Sequence, residues 1–455
     1  MLYIECTLTR SPESLTSRAR GLGVVDASLL VVGSIVGAGI FLVSPFVAQQ
    51  VHSPAAFLGT WLIGGAVALA GALSNGELGG LFPRSGGEYV YLREAYGPAF
   101  GFLSGWMSFW IGFPGSIAAL ASGFGATIAP MLGLTAARAP VAIGAVAIAG
   151  LTWINALGLR PGKWTQNILS AAKLAAFGGL LTLGLFMRHR GVPTGLSPFF
   201  AAGDTAGGVG MALVPVMFAY SGWNAATYVS GEMRDPGRSL GRALAVGTLL
   251  CVVLYLLVNT VYLRAMPLEA LAHTEEPARL AAERLGGSAV ASVLSPLVAV
   301  CVLSSMQASV LVGPRIYRAM AVDGLFFAPV GRLDPKTQVP LVALLLQSVV
   351  ALVLLASGSF DQLLRFATFA IVAFSTLTVA AVVVLRWRRP GAERAFRVPG
   401  GVLLPFLFVG ANVWVLWSVL IGGANEARIG LFIVATGVPA YMAFRSLGRS
   451  KETSG

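Results

Sequence analysis

Charge is what this 455-residue chain has least of. Asp, Glu, Lys and Arg make up 11% of it, against about 25% in an average soluble domain. Beside 56% hydrophobic residues, that shortage excludes a soluble globular protein and places the chain in a lipid bilayer. Cysteine is equally sparse: Cys6, Cys251 and Cys301 are scattered, with no metal-ligand spacing and no disulfide framework. Histidine occurs only at positions 52, 189 and 273, near the ends of apolar segments, and carboxylates inside those segments are almost absent. A membrane-embedded enzyme needs clustered acid, base, nucleophile or metal groups. No catalytic residue, metal or cofactor is therefore expected, and the chain does not read as an enzyme. A channel would need a continuous polar lining, which these segments also lack.

What is present is apolar length. Segments long enough to span a bilayer fall at roughly 22–50, 55–82, 98–131, 138–157, 163–187, 207–231, 240–265, 288–320, 339–357, 362–386, 402–422 and 428–445. They leave no room for a soluble domain, so the reading is one all-α polytopic domain over 22–445. A tail precedes it at 1–21 and another follows at 446–455. The first twenty residues are polar and basic without an apolar core, so they read as a tail and not as a cleaved signal peptide. The net charge of +12 is topological. With the N-terminus inside, the outer loops hold Arg138, Arg188, Arg190, Arg264, Arg279, Arg284, Arg365 and Arg428. Every other Lys or Arg except Lys173 falls on the cytoplasmic side, which is the positive-inside pattern. The expected location is the cell (inner) membrane, multi-pass, with both termini cytoplasmic; the bilayer is the partner, and nucleic acid is not.

Two spans are built to break. The first contains Gly33-Ser34-Ile35-Val36-Gly37-Ala38-Gly39-Ile40-Phe41, and each glycine costs a helix roughly 1 kcal/mol relative to alanine. In hydrocarbon, broken backbone is tolerated only where it lines a cavity or is buried in protein. The second is Phe218-Ala219-Tyr220-Ser221-Gly222-Trp223-Asn224, which alone would also serve as helix-packing glue. Segments one and six head two successive blocks of five helices, at about 22–187 and 207–386. An inverted repeat would place the breaks at equivalent positions, the arrangement in which secondary transporters build a binding site. The residue identities do not repeat, so this symmetry rests on position. Helices at about 402–445 read as peripheral.

Lys173 lies ten residues after Lys163, about 15 Å along a helix and near mid-bilayer. It is either functional, the default for an intramembrane lysine, or a structural ammonium held by backbone carbonyls. The 83–98 loop carries Tyr89, Tyr91 and Tyr96, suited to an interfacial anchor or to a gate. Glu77, near the cytoplasmic end of segment two, has no obvious partner in the sequence and reads as a buried interfacial contact. Residues 267–287 form either a solvated loop or short amphipathic helices split at Pro277.

Gly33 to Phe41, Ser85-Gly86-Gly87-Glu88-Tyr89-Val90-Tyr91, Phe218 to Asn224 with Glu232-Met233-Arg234-Asp235-Pro236, and Arg386-Trp387-Arg388-Arg389-Pro390 followed by Glu393-Arg394 occur in that order. Together they resemble the amino acid–polyamine–organocation (APC) superfamily, most closely its L-type amino acid transporter branch, from about residue 21 to 445. The resemblance implies 12 transmembrane helices, a 5+5 inverted repeat with helices 1 and 6 broken, and two peripheral helices. It implies that a substrate carboxylate meets amides around Gly37, Ala38 and Gly39, with Ile40 beside them, at a helix N-terminus that favours anions. The ammonium would take carbonyls near Ile35, Phe218 and Ser221. Phe218 matches an aromatic gate, and Asn224 a side chain near the pocket floor. Many relatives have Ser at the Ala38 position, so one hydroxyl contact is missing here. Lys173 matches the fifth-helix lysine of sodium-independent members, a substitute for a sodium ion bridging helices one, five and eight. It also leaves room for proton coupling through that lysine. Heteromeric relatives carry a cysteine between segments three and four; residues 132–138 have none, so no disulfide-linked ancillary subunit is expected.

The pocket so drawn offers dipoles for a zwitterion and Asn224, but no Asp, Glu or Arg for a charged side chain. The expected function is sodium-independent secondary transport of neutral L-amino acids by alternating access, as exchanger or proton symporter. The alternatives are a cationic amino acid or polyamine transporter, and a non-transporting amino acid sensor.

Overall fold

In hydrocarbon every backbone N–H and C=O must find a partner inside its own segment, and the chain answers with helix almost throughout. The computed structural model describes residues 21–37, 39–186, 201, 204–274, 276–292, 294–357, 360–421 and 425–452. Among them there is no β-strand; one isolated bridge pairs Leu22 with Met233. Six helical stretches are long and apolar enough to cross a membrane: Pro54–Leu81, Pro98–Met131, Ala139–Ala156, Pro236–Ala265, Ser288–Val322 and Ile371–Arg388.

Segment one is split into α1 (Val24–Ile35) and α2 (Gly39–Ala48). α3 (Pro54–Leu81) runs into the 83–98 region, where a short α4 (Glu88–Tyr96) forms. Segment three is α5 (Pro98–Met107), a π-helical turn at Ser108–Gly112, and α6 (Phe113–Met131). α7 (Ala139–Ala156) and α8 (Leu159–Phe186) follow. Segment six is α9 (Ala206–Ala219), a turn, and a 3-10 helix at Ala225–Glu232. α10 (Pro236–Ala265) leads through α11 (Leu268–Ala272), α12 (Pro277–Gly286) and α13 (Ser288–Ser292) to α14 (Leu294–Val322). α15 (Leu341–Ser357), α16 (Phe360–Arg388), α17 (Leu403–Ile421) and α18 (Asn425–Glu452) complete the chain.

Large apolar side chains such as Val146, Trp153, Ile168, Val353 and Trp417 are exposed on the outside, as a lipid-facing shell requires. Inside, small residues bring helices close. A Cβ at Gly76 of α3 would sit 2.8 Å from the Gly241 Cα of α10, so these two backbones pack with nothing between them. Of the two readings of 267–287, short helices are correct. α11 and α12 separate before Pro277 and bury Leu271, Ala281 and Leu285. Cys251 and Cys301 are buried free thiols.

Two expectations are overturned here. The 83–98 region is no interfacial anchor at its centre: Tyr89 and Tyr91 are fully buried, because α4 folds inward against α14 and α16. Glu77 is buried as expected, but it does have partners. Its Oε1 accepts from Arg386 Nε at 2.8 Å and lies 3.1 Å from Arg394 Nε, and its Oε2 accepts from the Val398 amide at 2.8 Å. Those partners lie some 300 residues away in sequence, which hid them.

Candidate functional site

The glycines of the first break are explained by what they touch. α1 ends at Ile35, Val36 and Gly37 leave the helical path, and α2 starts at Gly39. A Cβ on Gly39 would lie 3.1 Å from the Ala219 Cα, at the end of α9. A Cβ on Gly222, whose φ of +100° already favours glycine, would lie 2.9 Å from the Ser34 Cβ. The two breaks therefore cross each other directly, and only residues without side chains let them.

Where they cross there is a cavity of about 170 Å³. An enclosed space of roughly 150 Å³ accepts a benzene-sized molecule, so this one suits a small solute. Ile35, Gly37, Gly39, Phe218, Ser221 and Asn224 all line it. The hydroxyl-bearing Ser34, Ser104, Ser108, Ser116, Ser305 and Ser309 line it too. Ile40 is fully buried and is not among its lining residues; Ala38 lies outside the described residues. α2 begins at the cavity wall, so its first-turn amides have no carbonyl of their own helix to bind.

One expected acceptor already has partners. The Ile35 carbonyl accepts from the Gly37 amide at 2.8 Å and lies 2.9 Å from the Tyr255 hydroxyl. That hydroxyl is also 3.1 Å from the Ala219 carbonyl. The phenol has one proton for two carbonyls, so the Ile35 carbonyl is held by the Gly37 amide and only shares Tyr255 with Ala219. Tyr255 thus joins the ends of both half-helices from α10, a role the sequence reading missed. The available signal was a tyrosine in mid-span, since a buried phenol seeks a partner.

Lys173 stands behind the cavity wall, fully buried. Its Nζ donates to the Gly33 carbonyl at 3.2 Å, to the Val36 carbonyl, and to Ser305 Oγ at 3.5 Å. Ser305 itself donates to the Gly33 carbonyl at 2.7 Å. The ammonium therefore caps the C-terminal end of α1, where unpaired carbonyls and the negative end of the helix dipole converge, and it ties α1 and α8 to α14.

The second missed residue is Glu88. It lines the cavity although it is only 6% exposed, which corrects the expectation of a pocket without a carboxylate. Asn224 Nδ2 donates to its Oε1 at 2.8 Å and to the Tyr228 hydroxyl at 3.1 Å. Burial pushes the Glu88 carboxyl up to about 7. Gly87 delivers it there: its φ is +51°, and a Cβ would lie 2.4 Å from the Tyr228 ring. The same loop is sewn to segment six by Gly86 N to Tyr228 O (3.3 Å), Gly231 N to Ser85 Oγ (3.1 Å) and Ser230 Oγ to Arg84 O (2.8 Å). Segment one joins through Leu22 N to Glu232 O at 3.1 Å and Arg234 N to Leu22 O at 2.9 Å. This layer ties the 83–98 loop and the start of segment one to segment six beneath Asn224 and Tyr228.

Residues 22–441 match the family described as amino acid permease. The chain belongs to that family. The serine/threonine exchanger SteT of Bacillus subtilis (strain 168) is 30% identical to this permease, over 93% of this chain and 96% of its own. The large neutral amino acids transporter small subunit 2 of Homo sapiens is 29% identical, over 92% of this chain and 79% of its own. The b(0,+)-type amino acid transporter 1 of Mus musculus is 27% identical, over 94% and 88% respectively. Among the described residues of the permease, no group of three or more His, Cys, Asp or Glu is placed to hold a metal ion.

Proposed function

We propose that this permease carries out sodium-independent exchange or symport of small neutral L-amino acids by alternating access, as a multi-pass protein of the cell membrane. The observation that carries the reading is the crossing of two broken helices at one small cavity, in a chain of the amino acid permease family. The substrate carboxylate meets the amides at the start of α2, around Gly37, Ala38 and Gly39. The ammonium takes the carbonyls around Phe218 and Ser221, and Phe218 covers the ligand. Twelve spans in a 5+5 inverted repeat, with both termini cytoplasmic, complete the arrangement. The absence of cysteine at 132–138 fits a subunit without a disulfide-linked partner.

Sodium independence rests on Lys173, whose ammonium occupies the junction of α1, α8 and α14 and fills the role of a monovalent cation there. The small volume and the ring of serine hydroxyls favour a small, hydroxyl-bearing side chain, and a serine/threonine exchanger is among the relatives. Glu88 does not turn the site toward cations, because its Oε1 is already engaged by Asn224. Counterflow of labelled L-threonine in proteoliposomes, with sodium and with potassium alone, tests the reading. Saturable exchange at equal rates in both salts is expected. Binding without flux would make the protein a sensor, and a sodium requirement would remove Lys173 from its assigned role.

A further inference from the structure

We propose that Glu88 is a proton-binding site that fills and empties with the substrate cavity, so that transport answers to pH through this carboxyl and not through Lys173. The inference rests on the transporter reading above and adds the identity of the coupled proton's seat.

Three observations carry it. First, Glu88 borders the cavity itself, whereas Lys173 does not. Second, its neighbours are neutral. Asn224 and the Tyr228 phenol face it from segment six, and Tyr91 lies on its own helix as a phenol that burial holds un-ionised. Third, the paired charges on the elements packed around α4 have partners other than Glu88. Asp323, just past α14, accepts from Tyr89 at 2.7 Å and pairs with Arg93. Arg315 of α14 pairs with Glu232 at 2.9 Å, while Arg318, one turn on, has a buried Nε without a hydrogen-bond partner and no ion pair to Glu88. Arg388, the last residue of α16, and Arg389 after it bind the Ala95 carbonyl and Glu94 at the far end of α4, where Arg84 also pairs with Glu94. Among the described residues no Lys, Arg or His pairs with Glu88.

A carboxylate so placed has hydrogen-bond donors but no counter-charge, and its ionisation depends on water in the cavity. A ligand that displaces that water raises the cost of the charge, and the carboxyl takes one proton from solution. When the cavity opens and rehydrates, the proton returns to water, and no other bond changes. Linkage makes the effect reciprocal: if substrate favours the protonated carboxyl, acid favours substrate. The burial that lifts Glu88 to about 7 sets the sign. Affinity is highest below that pH and declines as pH rises through it.

The test compares wild type with Glu88→Gln. L-threonine affinity is measured between pH 5.5 and 8.5, and the protons taken up on binding are counted from titrations in two buffers of different ionisation enthalpy. Wild type should weaken at least about tenfold across the range, the effect of one pKa unit or more of coupling, and should take up a fraction of a proton near pH 7. Glu88→Gln should give a flat profile and no uptake, whatever its absolute affinity. Should that variant not fold, Tyr228→Phe removes a neighbour that steadies the carboxylate and should move the inflection to higher pH. A pH profile and proton count unchanged in Glu88→Gln, or an inflection unmoved in Tyr228→Phe, overturns the proposal. Binding without exchange in wild type would remove the transport reading alone, since the proton count still decides for or against Glu88.

Discussion

Lys173 and Glu88 are both buried ionisable groups held against the broken helices, and they are held in opposite ways. The ammonium has acceptors from two elements, the Gly33 and Val36 carbonyls and Ser305 Oγ. These acceptors are backbone and hydroxyl oxygens behind the cavity wall, and Lys173 itself does not line the cavity. The carboxyl meets only neutral groups and borders the space that fills and empties. A charge that its neighbours neutralise is a strut; one that depends on the state of a cavity can respond to it. Sequence position alone would rank the lysine, in mid-membrane, above a glutamate in a connecting loop. The surroundings reverse that order for coupling.

Breaking the strut should have the largest effect. Lys173→Ala leaves the Gly33 and Val36 carbonyls at the end of α1 with the Ser305 hydroxyl of α14 but without their cation. Each charged hydrogen bond contributes about 1.5–3 kcal/mol, so the geometry of the first break should be lost. Exchange of L-threonine should fall by about a hundredfold or more, while binding in detergent falls less. Wild-type exchange in this variant would reduce the lysine to a packing residue.

The crossing of the breaks comes next. Gly39→Val places bulk where Ala219 backbone already lies 3.1 Å from a Cβ, and overpacking of this kind costs about 1–3 kcal/mol. From the sequence, such a change would crowd the carboxylate nest; the structure gives a different cause, a collision between the two half-helices. Threonine affinity should drop about tenfold or more in isothermal titration. Unchanged affinity would separate the first break from the binding site.

How far these features were legible depends on their range along the chain. The breaks were visible because glycine and Ser-Gly in a spanning segment carry a local cost that something must repay. The lysine was visible for the same reason. Glu88 was not, because its role arises from a partner 136 residues away and from the φ of +51° at Gly87 that turns α4 inward. A Gly-Gly before a glutamate signals a turn but not its direction. Tyr255 was hidden by a similar distance, 220 residues from Ile35. The apolar pattern located segments well, yet the π-helical turn at Ser108–Gly112, which contributes Ser108 and Gly112 to the cavity wall, has no signature in hydropathy.

A smaller effect sharpens the responsive side of the comparison. Asn224→Ala removes the 2.8 Å donor to Glu88 Oε1. That hydrogen bond favours the ionised carboxyl, so its loss should raise the Glu88 pKa further above 7. The pH at which threonine affinity falls should rise by about one unit, the equivalent of about 1.4 kcal/mol. An inflection that stays in place, or moves to lower pH, would show that Asn224 does not govern the carboxyl.

The smallest effect belongs to Tyr255, which braces the crossing without carrying charge. Tyr255→Phe keeps the ring packed against Trp61 and Tyr220 and removes only the hydroxyl shared between the Ile35 and Ala219 carbonyls. A neutral hydrogen bond of this kind contributes about 0.5–1.5 kcal/mol. Thermal stability in detergent should fall by a few degrees, and affinity by about threefold, with the pH profile of binding unchanged because the phenol is remote from Glu88 in the network. The freed Ile35 carbonyl would then become available to the substrate ammonium. A gain in affinity in place of the small loss would therefore mean that Tyr255 holds this acceptor in competition with the ligand, and that the brace is itself part of the cycle.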